Sequence, residues 1–281
     1  MEIKWSSEQL PKMNVRNDKG VTFLTYPVFE EMDWMVHGFS TRLGGVSQGI
    51  YSSMNLSFTR GDEEEAVREN YRRLASALDV DYDKFVFTDQ THTTNVRKVT
   101  AEDAGNGLTR EREFHDTDGL ITDVPGLVLS TFYADCVPLY FVDPVHCAIG
   151  LSHSGWRGTV NRMGKATIEA MRREYGSRPE ELRCAIGPSI CQDCYEVSGD
   201  VAMEFEQTFA GHEREILLAK ENGKYQRDLW KANEIVLLDA GVLPEHIEIT
   251  DICTCCNPDL LFSHRASHGK RGNLGAFLCL K

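Results

Sequence analysis

What most constrains this chain is the rhythm of its apolar residues. Short apolar runs separated by Gly, Pro, Asn and Asp turn signals predict strands over 21–29, 85–88, 95–99, 127–133, 139–142, 147–152, 183–186, 247–251 and 274–280. Helical spacing occurs at fewer places. Asp62 with Glu65 reads as a capping box before Val67, Tyr71, Leu74 and Leu78, and further helices are predicted over 159–175, over 199–209 behind Ser198, and over 229–240 ended by Gly241. Strands that outnumber helices and do not alternate with them one for one argue against a regular doubly wound parallel fold. The expectation is an α+β (mixed α/β) protein with mixed sheets and helices packed outside them. No repeat period, low-complexity tract or Pro- or Ser-rich linker interrupts the pattern, which favours one continuous domain over 1–281.

Charge narrows the partners. The 281 residues carry 43 acidic and 30 basic side chains, a net charge of −13, which argues against binding a nucleic-acid polymer because counterion release needs a basic face. The start of the sequence has no apolar h-region, and no stretch of about 18 apolar residues occurs, so neither secretion nor membrane spanning is expected and the cytoplasm is the simplest compartment. Nine cysteines, odd in number and irregularly spaced, do not make a disulfide scaffold. Each is therefore to be read as core, metal ligand or nucleophile, with buried packing the ordinary state of a free thiol.

Three segments place a ligand-type side chain beside a turn or at a strand end: Gln90-Thr91-His92, Ala134-Asp135-Cys136-Val137-Pro138, and His153-Ser154-Gly155-Trp156-Arg157-Gly158. Their spacing decides nothing alone, yet His92, Cys136 and His153 could converge as the three N/S ligands of a catalytic zinc with a fourth position open. The third segment runs strand, glycine turn, helix, which offers free N–H groups and Arg157 to an anion; the plainer reading is a connection with Trp156 plugging the core. The segment His37-Gly38-Phe39-Ser40-Thr41-Arg42 with Gly44-Gly45 could bring Arg42 near a ligand but is neither a P-loop nor a dinucleotide fingerprint. Thiols also cluster at Cys191-x-x-Cys194 and at Cys253, Cys255 and Cys256. Four of these could close a structural zinc site, or a C-x-x-C pair could be redox active. Read as C-x-C-C, however, the second cluster strains ligand spacing, so buried or free thiols are expected there.

Taken in order, these segments resemble the YfiH/YlmD family, its bacterial YlmD branch in particular. The family was formerly described as multicopper polyphenol oxidoreductases or laccases, and is now described as purine nucleoside phosphorylases with adenosine deaminase activity. The likeness also runs through Asn55-Leu56-Ser57, Asp118-Gly119-Leu120, Gly187-Pro188-Ser189-Ile190 and Phe262-Ser263-His264-Arg265, leaving about the first twenty residues as a poorly matched extension. It implies a four-layer α/β/β/α fold shared with a group once described as cysteine hydrolases. It also implies zinc, with copper as the alternative, held by His92, Cys136 and His153, and a pocket lined by Arg42, Arg157 and His37. Two departures stand out: His264-Arg265-Ala266 replaces an aromatic-Arg-Arg run, and Gly272-Asn273 replaces a late Gly-Arg pair, for which Arg271 can stand in.

The implied reactions are phosphorolysis of adenosine, inosine, guanosine and S-methyl-5'-thioadenosine to the free base and (methylthio)ribose 1-phosphate, and hydrolytic deamination of adenosine to inosine. The implied partners are purine nucleosides and inorganic phosphate, bound by a monomer or homodimer. Asp135, beside Cys136, is a candidate catalytic proton carrier or ligand-positioning group; the plainer role is a turn cap before Pro138. Three other functions compete. One is an amide hydrolase with Cys136 as nucleophile and His153 as base, as in relatives implicated in editing peptidoglycan precursors. Another is copper-dependent phenol oxidation, poorly served by nine scattered histidines without a His-x-His pair. The last is a non-catalytic binding protein that kept the fold.

Overall fold

The computed structural model describes residues 3–6 and 11–281. Its first sheet runs, edge to edge, β1 (Asn14–Asp18), β2 (Val21–Thr25), β3 (Met35–Ser40), β15 (Leu274–Leu280), β7 (Val128–Tyr133) and β4 (Phe85–Phe87). The second runs β14 (Ile247–Ile249), β10 (Arg183–Ile186), β8 (Val137–Asp143), β9 (Ala148–Ser154), β6 (Gly119–Thr122) and β5 (Val96–Lys98). Both are antiparallel inside; the first has a parallel pair at one edge, β4 with β7, and the second at both edges, β10 with β14 and β5 with β6. A small antiparallel sheet is made of β11 (Glu196–Val197), β13 (Tyr225–Arg227) and β12 (Leu217–Ala219).

Period-two alternation explains the layering. In β15, Leu274, Ala276, Leu278 and Leu280 face the core between the two large sheets, while Phe277 and Cys279 face outward onto the helix Glu64–Leu78. In β8, Tyr140 and Val142 face the same inner core, whereas Val137, Leu139 and Phe141 face the helices Met163–Tyr175 and Leu229–Asp239. Helix, sheet, sheet and helix give the expected four layers with mixed sheets. No helix among the described residues is long and apolar enough to cross a membrane.

Several local expectations change. The Asp62–Glu65 capping box does not form: the helix starts at Glu64, and Asp62 instead accepts from Asn55 Nδ2 at 2.9 Å and the Glu63 N–H at 3.0 Å. The helix expected over 159–175 is two, Trp156–Val160 and Met163–Tyr175, because Arg162 between them is left-handed with φ 59°. The run 21–29 ends as a strand at Thr25, since Pro27 opens a short helix at its first turn. Strand β3 was hidden by its glycine and histidine. Met35, His37 and Phe39 alternate inward, so His37 belongs to the inter-sheet face.

Candidate active site

Two neighbouring strands bring the first pair of side chains together. In the antiparallel ladder of β8 and β9, Val137 lies opposite Ser154 and Pro138 opposite His153, so Cys136, one residue before β8, stands beside His153. His92 comes from the loop after β4, and that loop is held by side chains. The Gln90 amide extends the ladder of β7, donating to the Phe132 carbonyl at 2.8 Å and accepting from the Phe132 N–H at 2.7 Å. Asp118 then accepts from the N–H groups of Thr91 at 3.0 Å, His92 at 3.2 Å and Thr93 at 2.9 Å. These bonds fix His92 in the left-handed region, φ 64°, with its ring 4.9 Å from that of His153. One ligand atom each from His92, Cys136 and His153 lies within 4.8 Å of the others.

Asp118 also sets the chemistry of His153. Its Oδ1 lies 2.7 Å from His153 Nδ1, and its carbonyl accepts from the His153 N–H at 2.7 Å. A proton donated from Nδ1 leaves Nε2 turned toward the Cys136 sulfur. Burial opposes the charged form of His153, but the Cys136 sulfur and the Asp118 carboxylate outweigh it and raise the imidazole to about 9. Burial likewise opposes the Asp118 carboxylate, and the bonds from His153 and the loop N–H groups hold it below the ordinary range. His92 is lowered by burial and by the neighbouring His153, which favours the neutral imidazole that a metal needs.

The three side chains line one wall of a cavity of ≈ 290 Å³ with Arg60, Gln90, Arg112 and Arg271 among its other walls. Gly155 closes the cluster from behind. A Cβ there would stand 2.6 Å from His92 Nδ1 and 3.2 Å from Cys136 Sγ, so the glycine is required for space. Gly155→Ala is expected to displace His92, cutting metal content and turnover at least tenfold while the urea midpoint shifts little; unchanged metal content would refute this role.

A family model described as multi-copper polyphenol oxidoreductase laccase matches residues 36–281. The chain belongs to this family. The purine nucleoside phosphorylase YlmD of Bacillus subtilis (strain 168) is 36% identical over 88% of this chain and 89% of its own length. Adenosine deaminase RL5, from an unknown prokaryotic organism, is 35% identical over 82% of this chain and 88% of its own. The crystal structure of the Bacillus licheniformis protein YfiH superposes with a TM-score of 0.89 at 34% identity, covering 95% of this chain and 99% of that one.

Around this cluster, the remaining predicted residues fall into separate places. His37 does not line the cavity: it is buried among Tyr26 and Phe29, and its Nε2 accepts from the Tyr26 N–H at 2.7 Å. Arg42 is committed elsewhere, its guanidinium donating to the carbonyls of Ser52 and Pro258 at 2.8 Å each and lying over Phe262. Arg157 lies exposed over the Trp156 ring, 4.4 Å from its centroid, and Trp156 packs against the outer core as the plainer reading had it. Asp135 does not line the cavity, and both its oxygens are engaged elsewhere: Oδ1 accepts from Thr254 Oγ1 and Oδ2 from the Arg265 N–H, both at 2.7 Å. It positions Cys136 through a turn held at φ 88°.

Burial brings His37 down to about 4, so it folds neutral. Its contribution to stability is complete above the unfolded value near 6.5 and is lost as pH falls toward 4, where the unfolded chain binds the proton first. The difference is worth about 3 kcal/mol at full extent. His37→Gln, which keeps an acceptor for Tyr26, is expected to flatten the fall in urea-unfolding free energy between pH 7 and pH 4.5; an unaltered slope would rule the assignment out.

Sequence reading gave no role to Asp118 and only a stand-in place to Arg271. Asp118 was visible only as part of an Asp-Gly-Leu segment, and its partner His153 is 35 residues away. Arg271 is buried at the cavity wall, donating to the Gly272 carbonyl and to Asn273 Oδ1, with no partner for Nε among the described residues.

Proposed function

We propose that this chain is a zinc-dependent purine nucleoside enzyme. It cleaves adenosine, inosine, guanosine and S-methyl-5'-thioadenosine with phosphate and deaminates adenosine to inosine. The observation that carries the reading is the convergence of His92, Cys136 and His153 on one cavity wall, with relatives named for these two reactions in support. The donor set fits zinc: two imidazoles and a thiol within reach of one point, one imidazole oriented by a buried carboxylate. When bound, zinc supplies a Lewis-acid centre of net positive charge at that wall.

The chain's own residues do the rest. Phe58 and Phe132 give the cavity apolar surface for a purine ring, and Gln90 keeps the His92 loop in register with β7. Arg271 and Arg60 form the phosphate side in place of Arg42 and Arg157. Burial and the neighbouring Arg60 bring the Arg271 guanidinium down to about 10, a like-charge proximity that a bound phosphate relieves. Such local cations are needed because a protein of net charge −13 repels phosphate on average.

Metal-quantified protein incubated with adenosine tests this directly. Inosine is expected without phosphate, and free base with ribose 1-phosphate in its presence. Arg271→Ala is expected to raise the KM for phosphate roughly 10- to 100-fold, the value of a charge-assisted hydrogen bond, while deamination without phosphate persists. An unchanged phosphate KM would remove Arg271 from the role.

A second reading has one specific observation in its favour. Asp118, His153 and Cys136 stand in a row, carboxylate to Nδ1 and the opposite ring edge to sulfur, as in a nucleophile–base–orienter relay. An amide hydrolase of that kind would resist chelators and be killed by alkylation of Cys136. The metal reading predicts chelator sensitivity and gives His92 a purpose that the relay does not.

A further inference from the structure

Away from this site, four of the nine cysteines meet at a single point. Cys191 and Cys194 bracket the turn after β10, and Cys253 and Cys256 bracket a turn after β14. A parallel bridge between Ser189 and Cys253 holds the two turns side by side. Cys194 Sγ is 3.4 Å and Cys191 Sγ 4.0 Å from Cys256 Sγ, and all four sulfurs lie within 4.8 Å of one another. All are free thiols. Four sulfurs at about 2.3 Å from a central zinc form a tetrahedron with edges of about 3.8 Å, whereas a disulfide needs about 2.05 Å. The observed spread brackets the tetrahedral edge.

Backbone donors tie the two arms: the Cys194 N–H closes its own turn on the Cys191 carbonyl at 3.2 Å. The Cys191 N–H donates across to Cys253 Sγ at 3.2 Å. N–H groups aimed at sulfur stabilise thiolates, the form that binds metal. The structure also resolves the spacing that the sequence obscured. Within Cys253-Thr254-Cys255-Cys256, the pair that meets Cys191-x-x-Cys194 is Cys253-x-x-Cys256, and Cys255 is not one of the four converging sulfurs. Two C-x-x-C arms 62 residues apart are a regular zinc-ligand framework. Lys4 borders the same groove as Cys191 and Cys256, and the Arg265 guanidinium donates to the Cys194 carbonyl at 3.3 Å, so positive charge is at hand for a tetrathiolate.

We propose that Cys191, Cys194, Cys253 and Cys256 form a second metal site, a mononuclear tetrathiolate centre that takes zinc and clamps the two turns together. The site is structural, since four protein ligands leave no open position. Its clamp reaches the cavity through Asp135. The Ile190 N–H donates to the Asp135 carbonyl at 3.0 Å, and Thr254 Oγ1 donates to the Asp135 carboxylate at 2.7 Å. Asp135 in turn leads directly into Cys136.

Zinc per chain, measured by mass spectrometry on protein purified under reducing conditions, tests the proposal in three forms of the full chain. Wild type is expected to hold two equivalents, Cys194→Ser/Cys256→Ser one, and His92→Asn/Cys136→Ala/His153→Ala one. Because the triple variant removes only the first cluster, one equivalent retained there supports the second site whatever metal the first holds. Should the double-serine variant fail to fold, cobalt(II) loaded into the triple variant decides: strong thiolate-to-cobalt charge transfer with tetrahedral ligand-field bands supports the site. No bound metal in the triple variant, iron in place of zinc, or disulfides among these four cysteines when thiols are counted in denaturant without reductant would each overturn the proposal.

Discussion

His92→Asn is expected to lower phosphorolysis and deamination together by about three orders of magnitude or more while the protein stays folded. The size follows from what a catalytic metal contributes, several kcal/mol of charge stabilisation at about 1.36 kcal/mol per decade of rate. Asparagine is the appropriate replacement because His92 sits at φ 64°, a left-handed conformation that asparagine tolerates and alanine does not. The ring makes no hydrogen bond among the described residues, so its loss leaves no buried group unpaired. This variant also divides the two readings of the site. A relay of Asp118, His153 and Cys136 keeps all its members without His92, so a hydrolase would retain most of its turnover and its sensitivity to alkylation. Steady-state assays on adenosine, with and without phosphate, alongside metal content per chain, give the answer. Full turnover in His92→Asn protein with no metal at the cluster would sink the zinc reading.

The parts of this site that were legible in the sequence are those in which local chemistry and position coincide. Cys136 at a strand entry and His153 near a strand end were recognisable as ligand types, and the strand runs around them were recognisable by period. Their convergence depends on the register that puts Pro138 opposite His153, which no local pattern specifies. Arg42 illustrates the opposite failure. Its glycine-rich surroundings look like an anion loop, yet the carbonyls that occupy its guanidinium come from Ser52 and from Pro258, 216 residues away. His37 failed for a different reason: a histidine between Met35 and Phe39 breaks the apolar alternation by residue type while obeying it by position. In the cysteine cluster the four symbols in a row hid a regular spacing, and only the side-chain directions reveal which two of the three thiols face the other arm.

The largest effect on stability is expected at Asp118, a carboxylate fully buried behind the cavity. It is the shared acceptor for His153 Nδ1, for three consecutive N–H groups of the His92 loop and for Thr93 Oγ1. Asp118→Ala leaves those donors facing a void and His153 without its counter-charge. Breaking a buried pair from one side costs about 3–5 kcal/mol, against a total stability of roughly 5–15 kcal/mol for a typical domain. The variant is therefore expected to lose roughly a fifth or more of its unfolding free energy. Asp118→Asn separates this structural role from the chemical one. Its carbonyl oxygen can still accept from the loop, so the loss should be only about 1–2 kcal/mol. Its NH2, however, meets His153 Nδ1 as a donor and drives the imidazole proton to Nε2, the atom required as a ligand. Metal affinity is then expected to fall 10- to 100-fold with the fold largely retained. Urea unfolding of the metal-free proteins and competition with a zinc chelator measure the two effects separately. An alanine variant within 1 kcal/mol of wild type, or an asparagine variant that binds zinc as tightly as wild type, would show that Asp118 neither holds the loop nor sets the tautomer.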